Sequence, residues 1–194
     1  MIWVGVTGGI GCGKSTAVAF FKKQGFGVVS ADEIVHDLYQ HPVVVSEVSK
    51  ILKIDSKNFS KENIAKAVFP DSSKLKNLEN YLHPLVRKES QKRKEDLKKL
   101  GHSLAFYEIP LLFEKDMQTF FDATICVGAD QATQLMRIKK RNSWSDEEIK
   151  QRLSSQMPLE LKKDLADFYI DNSSSLEDLE KACASVADQI KKNV

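Results

Sequence analysis

The sequence predicts an α/β domain: a parallel sheet of about five strands with helices on both faces, interrupted by an inserted helical lobe. Three observations carry this. A short apolar, β-rich run at residues 2–6 leads into Gly8-Gly9-Ile10-Gly11-Cys12-Gly13-Lys14-Ser15-Thr16, and then into an amphipathic stretch stopped at Gly25. Further short β-rich runs alternate with helical periods to the end of the chain. Between the second and third of these runs, residues 42–101 lack any strand signal, which is more helix than a crossover needs.

In order, residues 26–30 read as the second strand. Ala31-Asp32-Glu33 follow it, then a helix with Ile34, Val35, Leu38 and Tyr39 on one face. Val44, Val45, Val48, Ile51 and Leu52 mark another helix, and Ile64, Val68 and Phe69 the next. Leu75, Leu78, Tyr81, Leu82, Leu85 and Val86 continue a helical period that His83-Pro84 interrupts, predicting a kink or a restart. The charged run from Lys92 to Lys99 reads as a solvated helix face. Residues 104–109 form the third strand, with Pro110-Leu111-Leu112-Phe113-Glu114 at its end, and residues 123–127 the fourth. Asp130 is placed to cap a helix carrying Leu135, Arg137, Ile138 and Arg141. Ser145-x-x-Glu148 and Ser174-x-x-Glu177 match the capping box, each ahead of a helix. Between them, residues 168–170 give the fifth strand.

The bulk properties fit one such domain. The chain has 194 residues, 42% of them hydrophobic, with Lys+Arg 29 against Asp+Glu 27. That near balance gives no basic field for nucleic acid. Cys12, Cys126 and Cys183 are scattered, without metal-ligand spacing, as in a reducing compartment. No apolar run approaches membrane-span length, and the N-terminus enters the first strand at once. The expectation is a soluble cytoplasmic protein, with a monomer favoured.

The glycine loop fits G-x-x-x-x-G-K-[ST], which cradles nucleotide phosphates. The bare pattern arises by chance in roughly 1 per 100 chains of this length, and the flanking strand and helix lower that. Glycines let several N–H groups turn inward, and the helix start adds unpaired amides and partial positive charge. Lys14 would reach the β- and γ-phosphates and the Ser15 hydroxyl would ligate Mg²⁺. Lys14 and the inward amides also make Cys12 a candidate reactive thiol, against the alternative of an inert small residue. Asp32 follows the second strand on the rim where open parallel sheets bind ligands, yet a helix N-cap explains it equally well. Glu108, near the predicted strand end, is either an acidic Mg²⁺ partner or a buried side chain facing a helix. Arg137 and Arg141 share a helix face, where they suit a transferring phosphoryl group or are simply solvated. His83 lacks the neighbours of a metal site, and Arg87 lies four residues on.

Together these pieces resemble the dephospho-CoA kinase family. The matches are Val6 to Thr16; Ala31-Asp32; Leu82-His83-Pro84-Leu85-Val86-Arg87; Pro110 to Glu114; Gln134-Leu135-Met136-Arg137 with Arg141; Gln156; and Ala166-Asp167 with Asp171-Asn172. The His-Pro-x-x-Arg and Pro-Leu-Leu-Phe-Glu pieces are the family-specific ones. The resemblance implies a P-loop kinase fold and transfer of the ATP γ-phosphate to the 3′-hydroxyl of dephospho-CoA, with Mg²⁺. It implies that Gly9, Ile10, Gly11, Cys12, Gly13, Lys14, Ser15 and Thr16, with Arg137 and Arg141, bind ATP. It makes Asp32 the catalytic carboxylate and assigns His83, Arg87 and Leu111 to the acceptor. The implied core is residues 1–41, 102–130 and 160–194, with an acceptor lobe at about 42–101 and a lid at about 131–159. Cys12, Ser30 and His36 depart from the family pattern, and the Pro-Gly usual after that helix is absent. Two other readings stand beside it. One is a nucleoside monophosphate or other small-molecule kinase on the same scaffold. The other is a GTPase-like switch, which would carry an Asn-Lys-x-Asp run that this chain lacks.

Overall fold

β1 (Ile2–Gly8) is the strand on which the sheet is built. It pairs in parallel with β3 (Leu104–Glu108), Ile2 opposite Leu104, and with β4 (Ala123–Gly128), Gly8 opposite Val127. β2 (Gly27–Ser30) lies outside β3 and β5 (Phe168–Asp171) outside β4, both parallel, giving the order β2-β3-β1-β4-β5. From Trp3 to Gly8 every β1 residue is buried. A parallel strand covered on both faces needs such an unbroken buried run. The computed structural model describes residues 1–142 and 144–193.

Contacts divide the chain into two units, Met1–Ser30 with the chain from Asp96 onward, and Ala31–Glu95. In the first unit, α1 (Lys14–Lys23) and α9 (Leu176–Asn193) pack on the sheet. Phe21 stacks on Phe106 with ring centroids 3.8 Å apart. Leu179, Cys183, Val186 and Ile190, at helical spacing along α9, bury their side chains in the same cluster. Three more helices, α6 (Gln131–Arg141), α7 (Asp146–Ser154) and α8 (Leu159–Leu165), lie between β4 and β5 in sequence.

The second unit is helical: α2 (Ala31–Leu38), α3 (Pro42–Leu52), α4 (Lys61–Val68) and most of α5 (Ser72–Lys99). Its core is Val44, Val48, Leu52, Ile64, Leu78 and Leu82. Ser60 caps α4 by accepting from Asn63 N–H at 3.2 Å. Arg93 ties α5 to α2 through Asp37 at 2.7 Å.

Four local expectations are corrected. Of the kink or restart predicted at Pro84, the restart does not occur; α5 is one helix of 28 residues with the proline inside. Proline removes a single backbone bond and crowds the preceding turn, and the helix-forming residues around it, anchored by buried Leu78 and Leu82, offset that loss. Asp32 is not an N-cap, because α2 begins at Ala31 directly after β2 and Asp32 falls in its first turn. The cap of α9 is Ser175, not Ser174: Ser175 Oγ accepts from Asp178 N–H at 3.2 Å. The shorter Asp178 takes the place that Glu177 was expected to fill, because α9 starts at Leu176. β3 ends at Glu108, one residue short of the predicted strand end, so Glu108 is the strand terminus. The predicted cap at Asp130 and the capping box at Ser145 both form. Among the described residues, no helix is long and apolar enough to cross a membrane.

Candidate active site

The glycine loop turns from the end of β1 into α1. Gly13 stands before the helix at φ 82, and no side chain caps that end. Among the loop amides, those of Ile10, Cys12 and Thr16 are committed within the protein, the last to the Gly13 carbonyl at 3.0 Å. Cys12 N–H donates to the Gly9 carbonyl at 3.3 Å, and Ile10 N–H donates to Gln156 Oε1 at 3.2 Å. Those of Gly11, Gly13, Lys14 and Ser15 make no hydrogen bond among the described residues. Unpaired donors at a helix N-terminus, summed with its dipole, form an anion site.

Lys14 and Ser15, the first residues of α1, converge on one oxygen. Glu108 Oε1 accepts from Lys14 Nζ at 2.7 Å and from Ser15 Oγ at 2.9 Å. Glu108 is 7% exposed, so its charge requires such partners. Both sequence alternatives for Glu108 are therefore compatible with its place: it is buried, and it touches the hydroxyl that a magnesium ion would use. A hydroxyl beside a carboxylate is a hard-oxygen donor pair. Magnesium suits such a pair because it takes few protein ligands and completes its shell with phosphate and water.

The loop is braced from outside. Asn172, just past the carboxyl end of β5, donates from Nδ2 to the Cys12 carbonyl at 2.8 Å. A Cβ at Gly13 would collide with that same amide, which together with the positive φ makes glycine obligatory there. The Asn172 carbonyl accepts from Arg137 Nη1 at 2.8 Å. Gln134 Nε2 donates to the Ile10 carbonyl at 2.6 Å. Beneath them, Lys162 of α8 is fully buried, paired with Glu114 Oε1 at 2.8 Å and donating to the Pro110 carbonyl at 3.0 Å. A buried ammonium persists only with partners of this kind.

The other predicted residues lie as follows. Arg141, at the end of α6, is exposed and makes no hydrogen bond or ion pair among the described residues. Leu111 is half-buried in the turn after β3. In the helical unit, Asp32 is exposed in the first turn of α2, and His83 and Arg87 are exposed one turn apart on α5. Thr16 is exposed within the first turn of α1. The reactive-thiol expectation for Cys12 is corrected. Its side chain is fully buried beside Gln134, and burial pushes the thiol above its ordinary value despite the lowering backbone bonds and cations. Cys12 packs the underside of the loop, and an unexposed neutral thiol reacts slowly.

The family model for dephospho-CoA kinase matches residues 2–178. The chain belongs to the dephospho-CoA kinase family. A dephospho-CoA kinase of Helicobacter pylori is 39% identical over 183 residues, covering 92% of each chain. A solved dephospho-CoA kinase from Campylobacter jejuni is 31% identical, covers 99% of this chain and 98% of its own, and superposes with TM-score 0.71. A Thermus thermophilus structure titled TT1252 gives TM-score 0.85 at 34% identity over 97% of each chain. The fold is that of the P-loop kinases, as the motif implied. Membership makes the chain an enzyme, a dephospho-CoA kinase acting at the last step of coenzyme A biosynthesis, and disfavours the nucleoside monophosphate kinase reading.

Within this kinase, sequence reasoning gave no role to three residues that brace the loop, nor to the buried Lys162 that ties α8 to the turn after β3. Gln134, Gln156 and Asn172 entered only as matching pieces, and Lys162 not at all. The signal available was weak: Gln134 lies four residues before Ile138, on the face of α6 that is buried, where an apolar side chain would pack more cheaply.

Proposed function

We propose that this kinase transfers the γ-phosphate of ATP to the ribose 3′-hydroxyl of dephospho-CoA, with the glycine loop as the triphosphate site. The observation that carries the reading is the set of four unbonded amides at Gly11, Gly13, Lys14 and Ser15, with the Lys14 ammonium beside them. Those donors hold the β- and γ-phosphates, and Gly9, Ile10, Cys12 and Thr16 shape the loop around them. Lys14 leaves Glu108 for the phosphates when nucleotide enters. Ser15 would hold Mg²⁺ with Glu108 or Asp32 as its acidic partner, and the ion would supply charge neutralisation. Asp32 accepts the proton of the 3′-hydroxyl. His83 and Arg87, in a lobe at about residues 42–101, hold the acceptor together with Leu111. Residues at about 131–159 act as a lid that holds Arg137 and Arg141 over the transferring group and excludes water, because an open site would hydrolyse ATP. The same reading puts the enzyme in the cytoplasm as a monomer working on small molecules, without nucleic acid or membrane.

An acceptor panel with MgATP tests it. Transfer to dephospho-CoA alone is the expected result. Equal or better transfer to a nucleoside monophosphate, or hydrolysis with no acceptor preference, overturns it.

The arginines separate in the same assay. Arg137 is tied to the Asn172 carbonyl, whereas Arg141 has no such commitment among the described residues. Arg141→Ala is therefore expected to lower kcat by up to about 10³-fold while changing the ATP KM little, with Arg137→Ala following at a smaller loss. If both variants raise only KM, the arginines bind ground-state nucleotide and have no part in stabilising the transition state.

A further inference from the structure

Ile10, at the apex of the glycine loop, is gripped from two sides by side chains distant in sequence. The peptide joining Gly9 to Ile10 is held at both ends: the Gly9 carbonyl accepts from Cys12 N–H at 3.3 Å, and Ile10 N–H donates to Gln156 Oε1 at 3.2 Å. The next peptide, joining Ile10 to Gly11, is held at one end only. Its carbonyl accepts from Gln134 Nε2 at 2.6 Å, while the Gly11 N–H makes no hydrogen bond among the described residues.

In a trans peptide the carbonyl and the N–H point in opposite directions. Tying the Ile10 carbonyl to α6 therefore turns the Gly11 N–H away from α6. Glycine itself does not enforce this orientation, since it rotates about both backbone bonds at little cost. Gly11 sits at φ 79, and a Cβ there would lie 2.8 Å from Ile138 and 2.9 Å from the Gln134 carbonyl, so no stiffer residue is tolerated. The plane must be fixed from outside. Flipped, it would aim a carbonyl oxygen where the Gly11 amide now points.

We propose that Gln134 and Gln156 are positioning residues that lock the two peptide planes flanking Ile10, so that the loop apex offers Gly11 N–H, and not the Ile10 carbonyl, to a phosphate. This deepens the assignment of the loop as the nucleotide site and rests on it. The two glutamines have opposite duties. Gln134 must donate and Gln156 must accept, and an amide side chain is the neutral group that can do either. Gln134 also lies one turn before Arg137 on α6, so a single helix registers both the loop apex and an arginine. Fixing the planes before the ligand arrives removes an ordering cost from binding.

The opposite duties give the test, read as equilibrium binding of MgADP to the full chain by calorimetry, with melting temperatures in parallel. Gln134→Glu and Gln156→Glu each bring one negative charge against Ile10, the former at the more buried site, so the same comparison is also read with the uncharged Met pair below. Glu at 156 keeps an acceptor for Ile10 N–H, whereas ionised Glu at 134 sets oxygen against oxygen. Gln134→Glu is expected to weaken MgADP binding about tenfold more than Gln156→Glu. The gap should narrow as pH falls and protonation returns a donor to position 134. A purely structural role predicts instead that affinity follows melting temperature at both positions, with no such pH dependence.

Should Gln134→Glu fail to fold, Gln134→Met and Gln156→Met make the same comparison without charge. Freeing the Ile10 carbonyl is expected to harm binding, while freeing its N–H adds a donor, so the loss at 134 again exceeds that at 156. Equal losses at the two positions overturn the proposal. Lys14→Ala distinguishes that outcome from a wrong nucleotide site. If it binds MgADP as wild type does, the loop assignment itself falls; if it weakens binding while the glutamine pairs do not separate, only the clamp falls.

Discussion

Lys14→Ala is expected to lower kcat/KM by about 10³-fold or more, roughly 4 kcal/mol of lost transition-state stabilisation, and to weaken ATP binding. The reason is geometric. Lys14 brings the one ammonium that the loop itself carries, and among the described residues Nζ has a single partner, Glu108 at 2.7 Å. Removing it also leaves a buried carboxylate with only the Ser15 hydroxyl as donor, which costs stability by itself. The double variant Lys14→Ala/Glu108→Gln isolates the two effects. It should recover most of the melting temperature and none of the transfer. Activity of Lys14→Ala within about threefold of wild type, a difference worth under 1 kcal/mol, would refute the phosphate-loop assignment.

Asp32→Asn is the other large expected effect, a fall in kcat on the order of 10²–10⁴-fold, about 3–5 kcal/mol of barrier. Asparagine keeps the shape but takes no proton and supplies no negative charge near a metal ion. The stability control is simple, because Asp32 sits inside the first turn of α2 and does not cap it. Neutralising an exposed carboxylate there costs about 0.3–1 kcal/mol of dipole interaction, a few degrees of melting temperature at most. ATP binding should persist, since the phosphate donors belong to the loop. A variant that phosphorylates dephospho-CoA at near wild-type rate would remove Asp32 from the chemistry and leave Glu108 as the carboxylate to examine next.

The five strands, their parallel direction and the glycine loop were legible because each is written locally. An apolar run, a glycine pattern and a helical period all lie within a few residues of one another. Element ends were less so. Ser174 and Ser175 are equivalent as caps until the helix start is known, and Pro84 reads as a break because its cost is local while the packing that offsets it is not. The bracing of the loop had no local signature at all. Gln134 reaches Ile10 across 124 positions, Gln156 across 146, and Asn172 reaches Cys12 across 160. No window of sequence contains both partners. The Cys12 expectation failed for a related reason: the loop has an inner and an outer side, and the order of residues does not say which one a side chain takes.

The position of β1 at the centre of a wholly parallel sheet has a consequence for how the chain assembles during synthesis. Ile2 waits for Leu104 and Gly8 for Val127 before the strand finds either neighbour. At about 5–20 residues per second, that is a delay of several seconds after β1 itself is made. In that interval the helices of Ala31–Glu95 can gather Val44, Val48, Leu52, Ile64, Leu78 and Leu82 from contacts close along the chain. Meanwhile the apolar stretch Ile2-Trp3-Val4-Gly5-Val6 stands unpaired on both edges, open to association with other nascent chains. The strand that the phosphate loop hangs from is thus made early and secured late.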